Sequence, residues 1–505
     1  MANSKTRRKL NKGSFHQLTG DPALFIGVIL ILASLILFIV YPLYAAAKLS
    51  LSNEGIFSLS EYKYIFTHSY YQKSILNSIM LGTIVATIAT FIGFIFAYAI
   101  AKGGIKGQKF IQPMAILPII SPPFMFALSV ILLLGRNGLI TAKLLHLDTA
   151  GVYGLKGLII VQVITMYPIA YMTLVGVIQA IDPDLETCSM NLGAKRIKTF
   201  FSITLPLALP GIFASWLLVF VGSLTDFGNP IIIGGEFDVL SVRAYLEFTG
   251  MGNLPRGAAL AMLLLIPSVG VFFIQKYIIK NKSYVTITGK SSRRGSSSVT
   301  GSAKKGLFVF NLLVSLFVLM FYLTIISGSF IKLWSVDWSL TIKHFVYAFD
   351  VGLTTLKNTL ILATVSTPIT AVLGMVIAFI VVRKSFAGKQ VLDFLSMLSY
   401  AIPGTAVGIG YIFAFNKAPF KLSGTAFILI AVYVFRNVPT GVQGGIAALK
   451  QISGDIEESS TNLSASTAYT FRKITLPLVR PAFFAGATFA FVRSMTAISA
   501  IIFLV

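Results

Sequence analysis

The chain is short of the residues that mark most soluble proteins. Among 505 residues there is one cysteine, Cys188, four histidines and 17 aspartates and glutamates, and charged residues of both signs make up only 11%. One cysteine excludes an internal disulfide, and His16, His68, His146 and His344 are too scattered for metal-ligand spacing. Charge this sparse cannot cover the surface of a soluble domain. What the sequence has instead is 56% hydrophobic residues and a mean hydropathy of +0.84. Apolar runs of membrane-spanning length recur along it, the pattern of a helical multi-pass membrane protein. Eleven spans are expected near 24–44, 77–101, 113–134, 157–179, 207–233, 257–278, 307–330, 355–382, 391–415, 423–446 and 479–505. The first has an apolar core too long for a signal peptide and reads as a retained anchor, despite Lys5, Arg7, Arg8, Lys9 and Lys12 before it.

The formal charge of +24 suggests nucleic acid, but its distribution argues otherwise. With a cytoplasmic N-terminus, the inside segments 1–21, 102–112, 180–205, 276–305, 383–390 and 447–480 carry 26 of the 41 lysines and arginines. This is positive-inside asymmetry, which sets orientation during insertion. The basic excess therefore reports topology and contact with membrane lipid, and no nucleic-acid partner is expected.

The chain repeats itself. Asn77 opens NSIMLGTIVATIATFIGFIFAYAIAK and Asn358 opens NTLILATVSTPITAVLGMVIAFIVVR, 281 residues later. Pro122 of LPIISPPF and Pro403 of SYAIPGTA keep that offset. Tyr167-Pro168 and Val438-Pro439 are 271 apart, as are NLGAKRIKTFFSITLPLALP (191–210) and NLSASTAYTFRKITLPLVRP (462–481). Matched order with one change confined to an outside loop is the mark of an internal duplication. The halves are expected to run parallel, with a pathway between them. They are joined by the Ser-, Gly-, Lys- and Arg-rich segment 279–306, a flexible linker by composition. Its Gly289-Lys290-Ser291 resembles the end of a phosphate loop, but Tyr284 stands where that pattern needs glycine.

The two polar segments before each ITLP read as short helices on the cytoplasmic face. Asp182 with Pro183 can open the first, and Ser453 followed by Gly454 the second. Asp184 and Glu186, then Asp455, Glu457 and Glu458, fall near the first turns, where the helix dipole favours acids. Leu-Pro is expected to break each helix before the next span. Identical residues on an exposed element suggest a docking surface rather than packing.

On these residues the chain resembles the permeases of binding-protein-dependent ABC transporters, whose signature is E-A-A-x-x-x-G followed by I-x-L-P. In that family the segment is a coupling helix that inserts into a separate ATPase subunit. Aligned on ITLP, the first copy has Thr187, Cys188, Ser189 and Gly193, with Glu186 one place early; the second has Glu458, Ser459, Ser460 and Ser464. Ile203, Leu205, Pro206 and Ile474, Leu476, Pro477 match in both. The resemblance implies ATPase-coupling roles for Glu186, Thr187, Gly193, Ala194, Leu205 and Pro206, and for Glu457, Glu458, Ser464, Ala465, Leu476 and Pro477. The fused plan, with SLTDFGNPIIIGG (223–235) and RSMTAISAIIFLV (493–505), resembles the ferric-iron permeases; permeases for thiamine, 2-aminoethylphosphonate and phosphorylated sugars are the alternatives. It implies a bacterial inner-membrane location, two ATPase subunits, an extracytoplasmic binding protein, and no cofactor, resident metal or chemistry of its own. A secondary transporter without an ATPase is the competing class.

Ionisable residues inside spans are functional candidates. Asp226 is expected in the fifth span and Arg493 in the eleventh. Arg493 maps onto Gly222, one turn before Asp226, so the two are expected to pair across a pseudo-two-fold axis at a pathway or gate. Pro122 and Pro403 interrupt helices at membrane depth and are further pathway candidates. Arg436, Asp393 and Glu247 read as interfacial. The expected fold is all-α: a basic tail (1–21), two tandem type I importer-like permease domains (22–278 and 307–505) and the linker between them. Position 505 corresponds to 234, so a twelfth span is expected beyond the eleven visible.

Overall fold

The computed structural model describes residues 22–53, 55–146, 151–275, 299, 301–450, 452 and 455–504. The basic tail, nearly all of the linker up to residue 300, and the proposed cap Ser453 with Gly454 lie outside the described residues. The described chain is helical, with two short hairpins, 52–53 with 56–57 and Ile331–Leu333 with Asp337–Leu340. Among the described residues ten helices are long and apolar enough to cross a membrane, and a bent pair makes eleven.

In chain order the spanning and coupling elements are α1 (Leu24–Ser50), α2 (Ser69–Ala101), α3 (Gln108–Ile120), α4 (Phe124–Leu144) and α5 (Leu155–Gln179). They continue with α6 (Pro183–Asn191), α7 (Arg196–Leu224), α8 (Gly228–Ile233), α9 (Leu254–Phe273) and α10 (Gly301–Phe330). Then come α11 (Lys343–Arg383), α12 (Lys389–Ala401), α13 (Gly404–Phe415), α14 (Ala426–Lys450), α15 (Asp455–Asn462) and α16 (Arg472–Met495). Long helices are the outcome because a bilayer core offers no water to unpaired backbone groups.

Two compact units form, and their borders do not follow the duplication. The central unit is Asn53–Gly352; the terminal unit joins Met1–Ser52 to Leu353–Val505. Each half thus lends its leading helix to the other half's unit. In the terminal unit, α1 docks on the second repeat: Tyr411 Oη donates to the Phe38 carbonyl (2.6 Å), and Phe38 stacks on Phe435 with ring centres 4.7 Å apart. In the central unit, α10 docks on the first repeat. Ser129 Oγ donates to the Phe321 carbonyl (3.1 Å), Ser121 and Tyr322 share a hydrogen bond, and Trp334 Nε1 donates to the Leu132 carbonyl (2.8 Å).

Inside each unit one close helix crossing repeats. A Cβ on Gly93 of α2 would stand 2.7 Å from both the Ala170 Cβ and the Tyr171 nitrogen of α5. A Cβ on Gly374 of α11 would stand 2.9 Å from the Gly441 Cα of α14. Gly374 and Gly441 are the repeat partners of Gly93 and Ala170 by the 281 and 271 offsets. Small residues at a crossing let two backbones touch, and dispersion then substitutes for a hydrophobic drive that lipid does not supply.

Several expected spans have different ends: the third runs on to Leu144 rather than ending at 134, and the eighth begins at Lys343 rather than 355. The fifth stops at Leu224 rather than running to 233, and the eleventh stops at Met495 rather than at 505. These ends are 271 apart, so the breaks belong to the repeat. The ninth is a broken span: α12 and α13 meet at 110° across Ile402-Pro403. The equivalent Ser121-Pro122 likewise separates α3 from α4. A proline lacks the N–H that would continue the ladder and its ring clashes with the preceding turn, so the chain restarts a helix there.

Gly93→Leu and Gly374→Leu should each cost about 3 kcal/mol, because the obstructing atoms are backbone and cannot yield. Gly176→Ala, at a helical site with nothing within 4 Å, should be tolerated. Thermal unfolding and yield of the solubilised protein compare the three; equal stability of Gly93→Leu and Gly176→Ala would refute the close crossing.

Candidate functional site

The two ITLP segments are built alike to within single hydrogen bonds. Asp182 caps α6 by accepting the Asp184 N–H (2.9 Å), as the Asp-Pro pair predicts. The helix ends in a Schellman turn: Gly193 N donates to the Met190 carbonyl (2.9 Å) and Ala194 N to the Ser189 carbonyl (3.1 Å). Gly193 has φ +86° there. In the second copy Ala465 N donates to the Ser460 carbonyl (3.2 Å), and Ser464 is held at φ 62°. A left-handed serine pays steric strain that glycine avoids. The two copies therefore have the same turn at unequal cost.

A hydroxyl pair fastens each short helix to the one that follows. Ser189 Oγ and Thr199 Oγ1 lie 3.0 Å apart; Ser460 Oγ and Thr470 Oγ1 lie 2.9 Å apart. All four are matched by the 271 offset. A cation at the end of the second span of each repeat ties down the chain entering the short helix. Lys102 Nζ donates to the Ile181 carbonyl (3.2 Å), and Arg383 Nη2 to the Leu449 (3.0 Å) and Ile452 (2.8 Å) carbonyls.

Glu186 does not reach the surface. It is 3% exposed, accepts from Thr204 Oγ1 (2.7 Å) and sits 3.5 Å from Lys102 Nζ. It is a strut beneath α6 and not part of its outer face. The outer face consists of Asp184, Leu185, Thr187 and Cys188, with Leu192 the most exposed at 89%. In the second copy Leu463 takes that place at 84%, with Ile456 and Glu458 also exposed. Ser464 is exposed, as Gly193 is, and Ala194 and Ala465 are half-buried under the turns. Each leucine thus stands free at the tip of a polar helix. Glu457 lies in the first turn of α15. Beside α6, Leu185, Cys188, Leu192, Lys195 and Lys198 line a cleft of about 690 Å³.

The expected break at Leu-Pro is not there. Leu205-Pro206 and Leu476-Pro477 lie within continuous helices, and Arg196–Leu224 is one span. A π-turn over Phe200–Thr204 precedes Leu205, whose N–H reaches back to the Phe200 carbonyl, and a second covers Phe471–Thr475. The wider turn absorbs the donor that proline lacks. The coupling helix is bounded instead by its Asp cap and its left-handed turn.

Asp226 is likewise not helical; it lies in the break between α7 and α8. Its carboxylate accepts from Gln162 Nε2 (2.9 Å), Asn229 Nδ2 (2.8 Å) and the Gly228 backbone N–H (3.1 Å). Gln162 also accepts from Ser223 Oγ. Asp226 thus closes a helix break and caps α8 from within the central unit. Arg493 is exposed in the terminal unit, 5.3 Å over the Phe489 ring. The helical phase that would have aligned Asp226 with Gly222 is absent. Arg436 is not interfacial: it lies at the middle of α14. Glu247 is 1% exposed and accepts from Tyr71 Oη (2.6 Å), with Arg256 Nη1 at 3.9 Å. Asp393 lies in the second turn of α12, half-buried.

Lys102, Thr204, Gln162 and Arg383 were not singled out in the sequence. Comparing the repeats would have exposed three of them, since Lys102 and Arg383 are basic at one offset and Thr204 matches Thr475. Among the described residues no three His, Cys, Asp or Glu side chains gather in a way that could hold a metal.

The structure is that of a polytopic helical membrane protein with a matched short helix in each repeat. The chain belongs to the family described as the binding-protein-dependent transport system inner membrane component, which matches residues 89–284 and again 370–505. It is 37% identical over 96% of its length to the putative ferric transport system permease protein FbpB 1 of Haemophilus influenzae, covering 78% of that protein. It is also 37% identical over 96% to the ferric transport system permease protein FbpB of Actinobacillus pleuropneumoniae, covering 72%. The molybdenum transport system permease protein ModB of Escherichia coli (strain K12) aligns with 41% of this chain but 90% of itself, at 26% identity. One repeat here thus corresponds to a whole permease there. The chain is a multi-pass inner-membrane permease with two fused permease domains.

Ser464→Gly should stabilise the protein by about 1 kcal/mol and Gly193→Ser should destabilise it by a similar amount. Thermal melts of the solubilised protein measure both; an unchanged Gly193→Ser would contradict the left-handed turn. Glu186→Ala leaves buried Lys102 without its carboxylate and should cost about 3 kcal/mol. Glu186→Gln, which keeps an acceptor for Thr204, should cost less in the same assay.

Proposed function

We propose that this chain is the permease subunit of an ABC importer that passes ferric iron to the cytoplasm, with one ATPase subunit docked on α6 and one on α15. The observation that carries the docking is the pair of matched short helices, each ending in an almost fully exposed leucine, Leu192 and Leu463. The iron reading rests on the two relatives named for ferric transport along nearly the whole chain. An extracytoplasmic binding protein delivers the cargo, and ATP hydrolysis belongs to the partners. The N-terminus and both short helices lie on the cytoplasmic side, as the distribution of lysine and arginine indicates. Asp226, Arg493, Pro122 and Pro403 mark the helix breaks and the charge that we assign to the passage or its gate. Glu186, Lys102 and the Ser-Thr pairs hold the coupling helices rigid, so that a push on either tip reaches the spans above it.

Proteoliposomes carrying the permease, its ATPase and its binding protein should take up radioactive Fe(III) only with ATP inside. Uptake of thiamine, 2-aminoethylphosphonate or a sugar phosphate in place of iron would overturn the substrate, and uptake without ATPase would overturn the class. Leu192→Glu with Leu463→Glu should abolish co-purification of the ATPase. Cys188, the chain's one cysteine and exposed on α6, reports the side. A membrane-impermeant maleimide should label it in inside-out vesicles, and bound ATPase should slow the reaction. Labelling of intact spheroplasts would reverse the orientation.

A further inference from the structure

The helix break in the terminal unit holds an arginine that nothing so far described uses. Arg436 stands at mid-membrane depth in α14, the most costly place for a lone cation. Its Nη1 is buried with no hydrogen-bond partner, and its Nη2 reaches only Ser499 Oγ at 3.4 Å. Among the described residues no carboxylate pairs with it.

Its surroundings point the same way. The arginine faces the start of α13: a Cβ on Gly404 would come 2.7 Å from Arg436 Nη1 and 2.0 Å from Ser499 Oγ. The opening amides of a helix have no acceptor within it, and Pro403, which caps α13, offers no side-chain acceptor. Thr405, 1% exposed in that first turn, has a buried Oγ1 with no partner. The amides and the guanidinium can only donate, the Thr405 hydroxyl is free to donate as well, and the helix dipole adds positive potential. Beside them Ser399 and Arg436, with Phe38, Pro42, Ile402, Tyr411 and Phe435, line a largely apolar cavity of about 20 Å³, the room of one water. The repeat partners of Arg436, Thr405 and Ser499 are Thr165, Phe124 and Gly228, and Ala497 stands where the first half has Asp226. The donor set belongs to the second half alone.

We propose that Arg436, Thr405, Ser499 and the opening amides of α13 form a binding site for a small oxyanion of the phosphate or carboxylate class. On the ferric reading, on which this second step rests, the oxyanion is the ligand shell of the iron. A buried guanidinium repels a bare trivalent cation, whereas a ferric complex carrying net negative charge presents oxygens to it. The passage then selects an anionic ferric chelate over the free ion.

The test uses the purified permease–ATPase complex in nanodiscs, with inorganic phosphate and citrate as separate probes, each in the absence of iron. The wild type should bind at least one, and Arg436→Gln should weaken it about tenfold or more, the loss of a charge-assisted contact. Thr405→Val should weaken it less. Lys417→Gln, which removes an exposed cation from the loop after α13, should leave it unchanged. Co-purification of the ATPase with each variant checks folding. No binding of either probe by the wild type, or equal affinity in wild type and Arg436→Gln, overturns the site. In proteoliposomes, ATP-driven uptake of Fe(III) supplied with the bound anion should fall in Arg436→Gln. If the wild type carries no iron but Arg436→Gln still loses the anion, the ferric reading fails and the oxyanion site stands.

Discussion

A bilayer core leaves a backbone N–H or C=O nowhere to turn except to the protein itself. Every interruption of a helix in this chain has to be closed from a neighbour, and the closures are where its chemistry lies. Asp226 and Gln162 close the break after α7. Lys102 and Arg383 close the turns that lead into the short helices, taking carbonyls that the ends of α5 and α14 leave free. The π-turns before Pro206 and Pro477 remove a break altogether. At the break at Pro403, Arg436 Nη1 and Thr405 Oγ1 are left without partners.

Rigidity at the coupling helices follows from the same need. A helix of nine residues, such as α6, is marginal alone. It is kept whole by a capping aspartate, a left-handed turn and a buried Glu186–Thr204–Lys102 cluster. Those contacts turn its apolar residues outward, because the polar side is already occupied beneath. Anchoring thus uses the inner face of the short element and leaves the outer face, Leu192 included, exposed. The second copy reaches the same form with Ser464 in the strained position and arginine in place of lysine, so the two short helices are alike in shape and unequal in stability.

The fold class and the repeat were legible because hydropathy and spacing are properties of the chain itself. Apolar runs located the spans, although the third and ninth are broken, and the 271 and 281 offsets found both short helices. Asp182-Pro183 announced its cap correctly. The errors share a cause. Leu-Pro was read as a breaker because propensity treats proline locally, whereas a π-turn one step earlier absorbs its missing donor. Asp226 was placed on a helix because apolar composition continues through 225–233, although the backbone does not. Arg436 was set near a span end because charge inside a membrane is costly, and the donors around it are visible only once α13 turns back.

What the sequence alone determined is the set of apolar segments, their two-fold repetition and the polar helices between them, since the bilayer accepts only long helices and the duplication left matching residues. The tertiary structure decided which helices share a unit, with α1 packed on the second repeat and α10 on the first. It also decided which way each polar side chain faces: Glu186 inward, Leu192 outward, Asp226 onto its own turn, Arg436 toward an uncapped helix. Those outcomes depend on contacts between residues hundreds of positions apart, which no local pattern of hydropathy or propensity encodes.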